Sequence, residues 1–323
     1  MKRIFSIIIS VVILCCCLSS CFYNKAGDFT AKFVDNGYNN YNAGGDMAYV
    51  DGTLYINSVN RFMNKKNSVL INGKEVKSLF ASNDFDSYLL PIMVMRQYYI
   101  NGKHYMVRKG ELLEWNDSKG DFVPTETEFN NILDCPYIDN DLQVWHDGKG
   151  ICVKYKDNKK YRITKFCYEY HVSDNKIFII DTDGWLYIND VTKGSPECYL
   201  ESKLMRESTY EENISCNDYF YYGFYPGIGR QDKKGLYAYS LNDKKYRLVV
   251  EGEVKSLNAY NNAVYAAMGD GIYKVVKDNS QRISGISAEE IYILDEKWVY
   301  AMNYYGEVYR VSQDGVETEK VYP

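Results

Sequence analysis

The chain has little of what a catalytic, metal-binding or nucleic-acid-binding protein usually shows. It has three histidines, His104, His146 and His171, far apart along the chain, so no metal-ligand spacing is formed. No cysteine pair has the CxxC spacing of zinc or thioredoxin-like sites. GxSxG, HExxH, P-loop and GxGxxG patterns are all missing. The basic residues, 38 against 43 acidic, leave a formal charge of −5. A chain of that sign lacks the basic face that phosphate neutralisation needs, which argues against nucleic acid and against electrostatic attachment to anionic lipid. There are six prolines and no long low-complexity tract, so the chain reads as folded. After the first 21 residues no second long apolar run follows, so no retained membrane span is expected.

What the sequence does have begins at its start. Lys2 and Arg3 precede an apolar run from Ile4 to Leu14, and Leu18-Ser19-Ser20-Cys21 closes the segment. A run this short falls below the ~20 residues of a bilayer-spanning helix and fits an export signal. The last four residues resemble the bacterial lipobox. That resemblance implies cleavage between Ser20 and Cys21 and lipid attachment to the Cys21 thiol. It places the protein on the extracytoplasmic face of a cell membrane, or on the outer membrane or periplasmic side in a diderm host. Removal of Lys2 and Arg3 with the signal would take the charge from −5 to −7. One acyl chain holds a protein only marginally, whereas two or three hold it durably.

Residues 21–42 read as a polar, lipid-anchored tether, and residues 43–323 as a single all-β domain. Five cysteines lie within that domain: Cys135, Cys152, Cys167, Cys198 and Cys216. An odd number leaves at least one outside any disulfide, and buried apolar thiols are the expectation.

The chain is rich in tyrosine, 33 in all, and the domain repeats a strand, a short Asp/Asn/Gly turn and a second strand often ending in Tyr. Copies run over 46–56, 97–107, 176–188, 262–275 and 297–311, with looser copies over 142–153 and from Asp218 to Tyr239. Alternating β-branched and aromatic residues mark the strands, and Asp-Gly or Asn-Gly pairs supply the backbone angles of tight hairpins. Anchors at Leu54, Tyr99, Val144, Phe178, Phe220, Val264 and Val299 lie 45, 45, 34, 42, 44 and 35 residues apart. A strand-built period of ~40–45 residues is the mark of a β-propeller. Seven blades fit best; six and eight also fit, and a β-sandwich or two stacked all-β domains is the competing architecture.

Asn39-Asn-Tyr-Asn-Ala-Gly-Gly-Asp-Met-Ala-Tyr-Val-Asp-Gly-Thr-Leu-Tyr55, with Trp298-Val-Tyr and Gly306-Glu-Val-Tyr-Arg-Val, resembles a bacterial surface-lipoprotein domain. That domain, of unassigned function, is related to the LDL-receptor-type (YWTD-like) β-propeller. The Tyr-Trp-Thr-Asp tetrapeptide does not occur, and 75–95 departs from the repeat. The resemblance implies a propeller at the cell surface and leaves the activity open.

The functional expectation is a lipid-anchored, non-enzymatic binding module whose loop face takes a protein, peptide or glycan. No cofactor or metal is implied, and the membrane partner is reached through Cys21. Two alternatives are an envelope-assembly scaffold of quinoprotein-repeat type and a carbohydrate-active hydrolase or lyase. Asp181-Thr-Asp183-Gly184 resembles the opening of a calcium loop, but Trp185-Leu-Tyr-Ile follows where further acidic ligands belong, so a hairpin turn is expected. Pro226-Gly-Ile-Gly229 reads as a loop and not a phosphate cradle.

Overall fold

The computed structural model describes strands between Met47 and Tyr322 and most turns from 116 onward. Residues 1–46 and the segments 59–67, 77–95, 125–136 and 205–211, with several shorter turns, lie outside the described residues. Among the described residues, every strand belongs to one of seven four-stranded antiparallel sheets, each with its strands in chain order. Sheets I to VII occupy 47–76, 96–124, 137–163, 169–203, 213–251, 254–284 and 290–322.

Sheets III to VII pack face to face in succession, and sheet I packs against sheet II. The first strand of sheet IV touches that of sheet V, and the same holds for V with VI, VI with VII, and I with II. Period-two alternation divides each second strand between its two neighbours. In sheet IV, Ile177 and Ile179 join a cluster with Val144 and Val153 of sheet III. The intervening Phe178 and Ile180 join Phe220 and Tyr222 of sheet V. Phe178 and Phe220 stack at 5.4 Å. In sheet VI, Val264 and Ala266 face sheet V, while Tyr265 and Ala267 face sheet VII. Burial on both faces explains why these strands read as unbroken apolar runs.

Tyrosine joins the sheets as well as filling them. A tyrosine ring covers apolar surface while its hydroxyl reaches a partner at the edge. Tyr161 of sheet III donates to Asn189 Oδ1 of sheet IV at 2.8 Å. Tyr239 of sheet V donates to Glu201 of sheet IV at 3.2 Å. Tyr221 of sheet V donates to the Lys277 carbonyl of sheet VI at 2.8 Å, and Tyr265 of sheet VI to Gln313 of sheet VII at 2.9 Å. The tyrosine surplus is therefore partly an inter-sheet hydrogen-bond system.

Asn189 allows this to be tested. It is fully buried, and its amide donates to the carbonyls of Ser195 and Glu197 at 2.8 Å each. Tyr161→Phe keeps the ring and leaves the buried Asn189 Oδ1 without its donor. The expected cost is ~1–2 kcal/mol in chemical denaturation. A variant as stable as wild type would show that this hydroxyl contributes nothing.

A second regularity ties sequence to register. In sheets IV to VII the third strand carries an aliphatic residue followed by Tyr, and the pairing with the fourth strand shifts between those two residues. The pairs are Leu186/Tyr187, Leu236/Tyr237, Ile272/Tyr273 and Val308/Tyr309. The extra residue lies on the outer strand: Glu201, Val249, Ile283 or Val321. Sheet III has Cys152 after Ile151, and its register runs without a shift. Such bulges bend the outer strand and increase its twist.

The repeat phase read from the sequence needs one correction. The hairpins at 142–153, 176–188, 218–239, 262–275 and 297–311 join the second and third strands of their sheets. Those at 46–56 and 97–107 join the first and second. Tyr99 therefore sits on a first strand, one strand out of step with the other anchors. Two-residue connections with Asp-Gly or Asn-Gly suit either hairpin, so turn chemistry could not assign the phase.

Candidate functional site

In a four-stranded meander, the turn between strands two and three lies at the same end as the connector to the next sheet. One face of the molecule thus gathers both kinds of loop, and on sheets V to VII a chain of charges runs along it. Lys234 lies 3.2 Å from Glu253, Glu253 2.9 Å from Lys255, and Lys255 3.4 Å from Glu289. Hydrogen bonds from Lys255 and Lys234 hold the Glu253 carboxyl below its ordinary range, and the bond to Glu253 raises Lys255. Aromatic rings sit among these charges. Lys203 lies 4.6 Å above Trp185, and Lys234 4.6 Å above Tyr225, whose hydroxyl donates to the Val254 carbonyl at 2.5 Å.

At the sheet VII end of this face is a cavity of about 300 Å³. It is lined by Ile286, Ser287 and Glu289 of the VI–VII connector, by the Asn303–Tyr305 turn and by Tyr309. The turn is tightly held. Asn303 Oδ1 accepts from the Tyr305 and Glu307 amides at 3.0 Å each, and Asn303 Nδ2 donates to Glu307 Oε2 at 2.7 Å. Tyr309 donates to the same carboxylate at 3.0 Å, and Lys320 reaches its other oxygen at 2.6 Å. The Lys320 hydrogen bond is the main cause of the lowered Glu307 pKa. On this frame Tyr304 and Tyr305 are 48% and 80% exposed.

The acidic turn of sheet IV has the same construction. Asp181 Oδ1 accepts from the Asp183 and Trp185 amides at 2.9 Å each. Gly184 and Gly306 close the two turns at matching left-handed φ angles, 75° and 79°. The Asp181 carboxylate is thus engaged in a hairpin turn, as the sequence led us to expect. Among the described residues no group of three or more His, Cys, Asp or Glu could hold a metal ion.

Of the other residues singled out from the sequence, those that are described do not converge. His104 and His171 are buried in sheets II and IV. The side chain of His146, residues 227–230 of the glycine loop, Cys135 and Cys167 lie outside the described residues. So do Ser20 and Cys21. Cys152 is buried at 2% exposure, and burial, with Asp174 nearby, pushes the Cys216 thiol up to about 11. That is the behaviour of a packed thiol and not of a nucleophile. Among the described residues no helix is long and apolar enough to cross a membrane.

Sequence reading passed over Ser287, Glu289, Tyr304 and Tyr305. A signal for the tyrosines was present: an aromatic pair occupies the turn slot where sheet IV has Thr182 and Asp183.

No protein-family model and no curated protein matches the sequence. Among solved structures the chain is similar to the extracellular domain of the BT4673 system from B. thetaiotaomicron. The identity is 13% and the TM-score 0.50, over 93% of this chain and 40% of that one. It is also similar to YCF48 bound to D1 peptide, at 10% identity and a TM-score of 0.51, over 90% of this chain and 99% of that one. Similarity at these identities speaks to fold alone. The architecture is all-β and propeller-like, with sheets III to VII packed face to face in succession.

Proposed function

We propose that this chain is a lipid-anchored, extracytoplasmic β-propeller of seven blades, akin to the bacterial YWTD-like domain, that works as a non-enzymatic binding module. The observation that carries the reading is the loop face: a fixed array of paired charges, with exposed tyrosines on a clamped turn beside a cavity. Rigid elements presenting aromatic groups suit recognition, because little conformational freedom is lost on binding. The seven consecutive four-stranded sheets support the blade number. A neighbour of similar fold, YCF48, was solved with a peptide bound, which supports an interaction role for such a scaffold. The lipobox-like Leu18–Cys21 segment supports cleavage after Ser20, lipid on Cys21 and a tether over 21–42.

Anchor and domain separate experimentally. Cys21→Ser is expected to move the protein from the membrane to the soluble fraction with an unchanged thermal transition. A Cys21→Ser chain that stayed membrane-bound would remove the anchor from the reading. For binding, the cross-linked chain is expected to retain an envelope protein, peptide or glycan that an unrelated lipoprotein does not. Failure to retain any would remove the binding role.

A further inference from the structure

We infer that the Tyr304–Tyr305 turn and its adjoining cavity bind a neutral saccharide. This rests on the binding-module reading and gives it a ligand class.

The first argument compares two turns of one design. The sheet IV turn closes around Asp181, with Asp183 exposed before Gly184. The sheet VII turn closes around Asn303 with the same backbone hydrogen bonds and has Tyr304 and Tyr305 before Gly306. Folding of this turn therefore requires neither aromatic ring. Tyr305, at 80% exposure, covers almost nothing, so its ring surface gives the fold little hydrophobic stabilisation. Two exposed rings on a clamped turn are accounted for by something that covers them.

The second argument concerns shape. The two rings meet edge to face, 5.7 Å apart at 81°. In that arrangement the ring supplying the edge keeps both faces clear of its partner. Ser287 and Glu289 line the same cavity. A pyranose ring has both features the site asks for: a C–H face that packs on an aromatic ring, and hydroxyls that reach a serine and a carboxylate. A volume of about 300 Å³ lies at the low end of small-molecule sites and leaves room for a short saccharide.

The third argument is charge. Lys234, Lys255 and Lys320 balance Glu253, Glu289 and Glu307, and each of the six is in an ion pair. These six groups therefore offer no uncompensated charge to a phosphate, carboxylate or ammonium ligand. Neutral polar groups beside aromatic faces favour a neutral, hydroxyl-rich ligand.

The test is calorimetric titration of the full chain, in a zwitterionic detergent, with a glucose pentamer and an N-acetylglucosamine pentamer. At least one is expected to bind, with affinity unchanged at about 0.5 M NaCl, where surface charges are screened. Tyr305→Ala is expected to weaken binding by about tenfold or more, and Tyr305→Trp to restore it. Asp183→Ala, at the equivalent tip in sheet IV, is expected to leave it unchanged. Binding that survives in Tyr304→Ala/Tyr305→Ala, or no binding of either pentamer by wild type, overturns the saccharide. In the second case, an envelope protein held by wild type and lost by the double variant would leave the binding-module reading standing. If wild type and double variant hold the same partners, the reading of this face falls too.

Discussion

Gly271→Ala is expected to lower stability by ~3 kcal/mol, far more than an ordinary loop substitution. Gly271 opens the third strand of sheet VI at φ +155°. A Cβ there would fall well inside van der Waals contact of the Ser284 carbonyl oxygen and within 2.7 Å of Arg282 Nε. The Arg282 side chain could swing away. The carbonyl could not, because Ser284 follows the bulged residue Ile283, which is only 6% exposed and packs in the cluster shared by sheets VI and VII. Retreat of the outer strand would pull Ile283 out of that cluster. For a domain of this size the loss corresponds to a fall of ~5 °C in Tm. Gly120→Ala is the control. Gly120 has φ +58° with open space around it, so an alanine there meets only the left-handed backbone penalty, ~1 kcal/mol. Equal losses at the two sites would show that the Ser284 contact is not what holds Gly271 in place.

The same geometry explains which parts of the fold could be seen in the sequence. Second and third strands are enclosed by neighbouring sheets, so Ala263–Met268 and Gly235–Ser240 are buried throughout and stand out as apolar runs. Outer strands have a hydrated face. Asn279–Ser284 is mostly exposed, and Lys245–Glu251 begins with three exposed residues, so neither shows a strand pattern. The repeat is therefore legible as hairpins and not as four-stranded units, so the period alone puts Tyr99 one strand out of phase. The tyrosine count was legible, but its inter-sheet hydrogen bonds were not. Tyr161 and Asn189 are 28 residues apart, and only packing brings them together. The site was the least legible part. Ser287 and Glu289 come from a connector without pattern, and they meet Tyr304 and Tyr305 only because connectors and second turns share one end of every sheet.

Acidification from pH 7.5 to 5 is expected to cost ~4 kcal/mol of stability, through two histidines that take no part in the proposed site. His104 is 5% exposed and meets the Phe122 ring edge-on at 4.9 Å, and His171 is 9% exposed. Burial disfavours the imidazolium and lowers their pKa values to about 3 and about 4, from an ordinary 6.5. The unfolded chain therefore binds protons that the folded chain refuses. Stability is full above pH 6.5 and falls as the pH drops below it. At pH 5, each histidine lies ~1.5 units below its unfolded pKa and contributes ~2 kcal/mol of that loss. The window keeps the carboxylates apart. The lowered pKa values of Glu253, Glu307 and Asp314 also add stability that is lost on acidification. Their loss begins only as the pH approaches the unfolded values of 4.5 for glutamate and 3.8 for aspartate. Urea unfolding at pH 7.5 and pH 5 measures the difference directly. His104→Leu and His171→Leu are each expected to remove about half of it, whatever their stability at pH 7.5. A wild-type difference below ~1 kcal/mol would mean that both rings accept protons in the folded state, and that the packing around them opens to water.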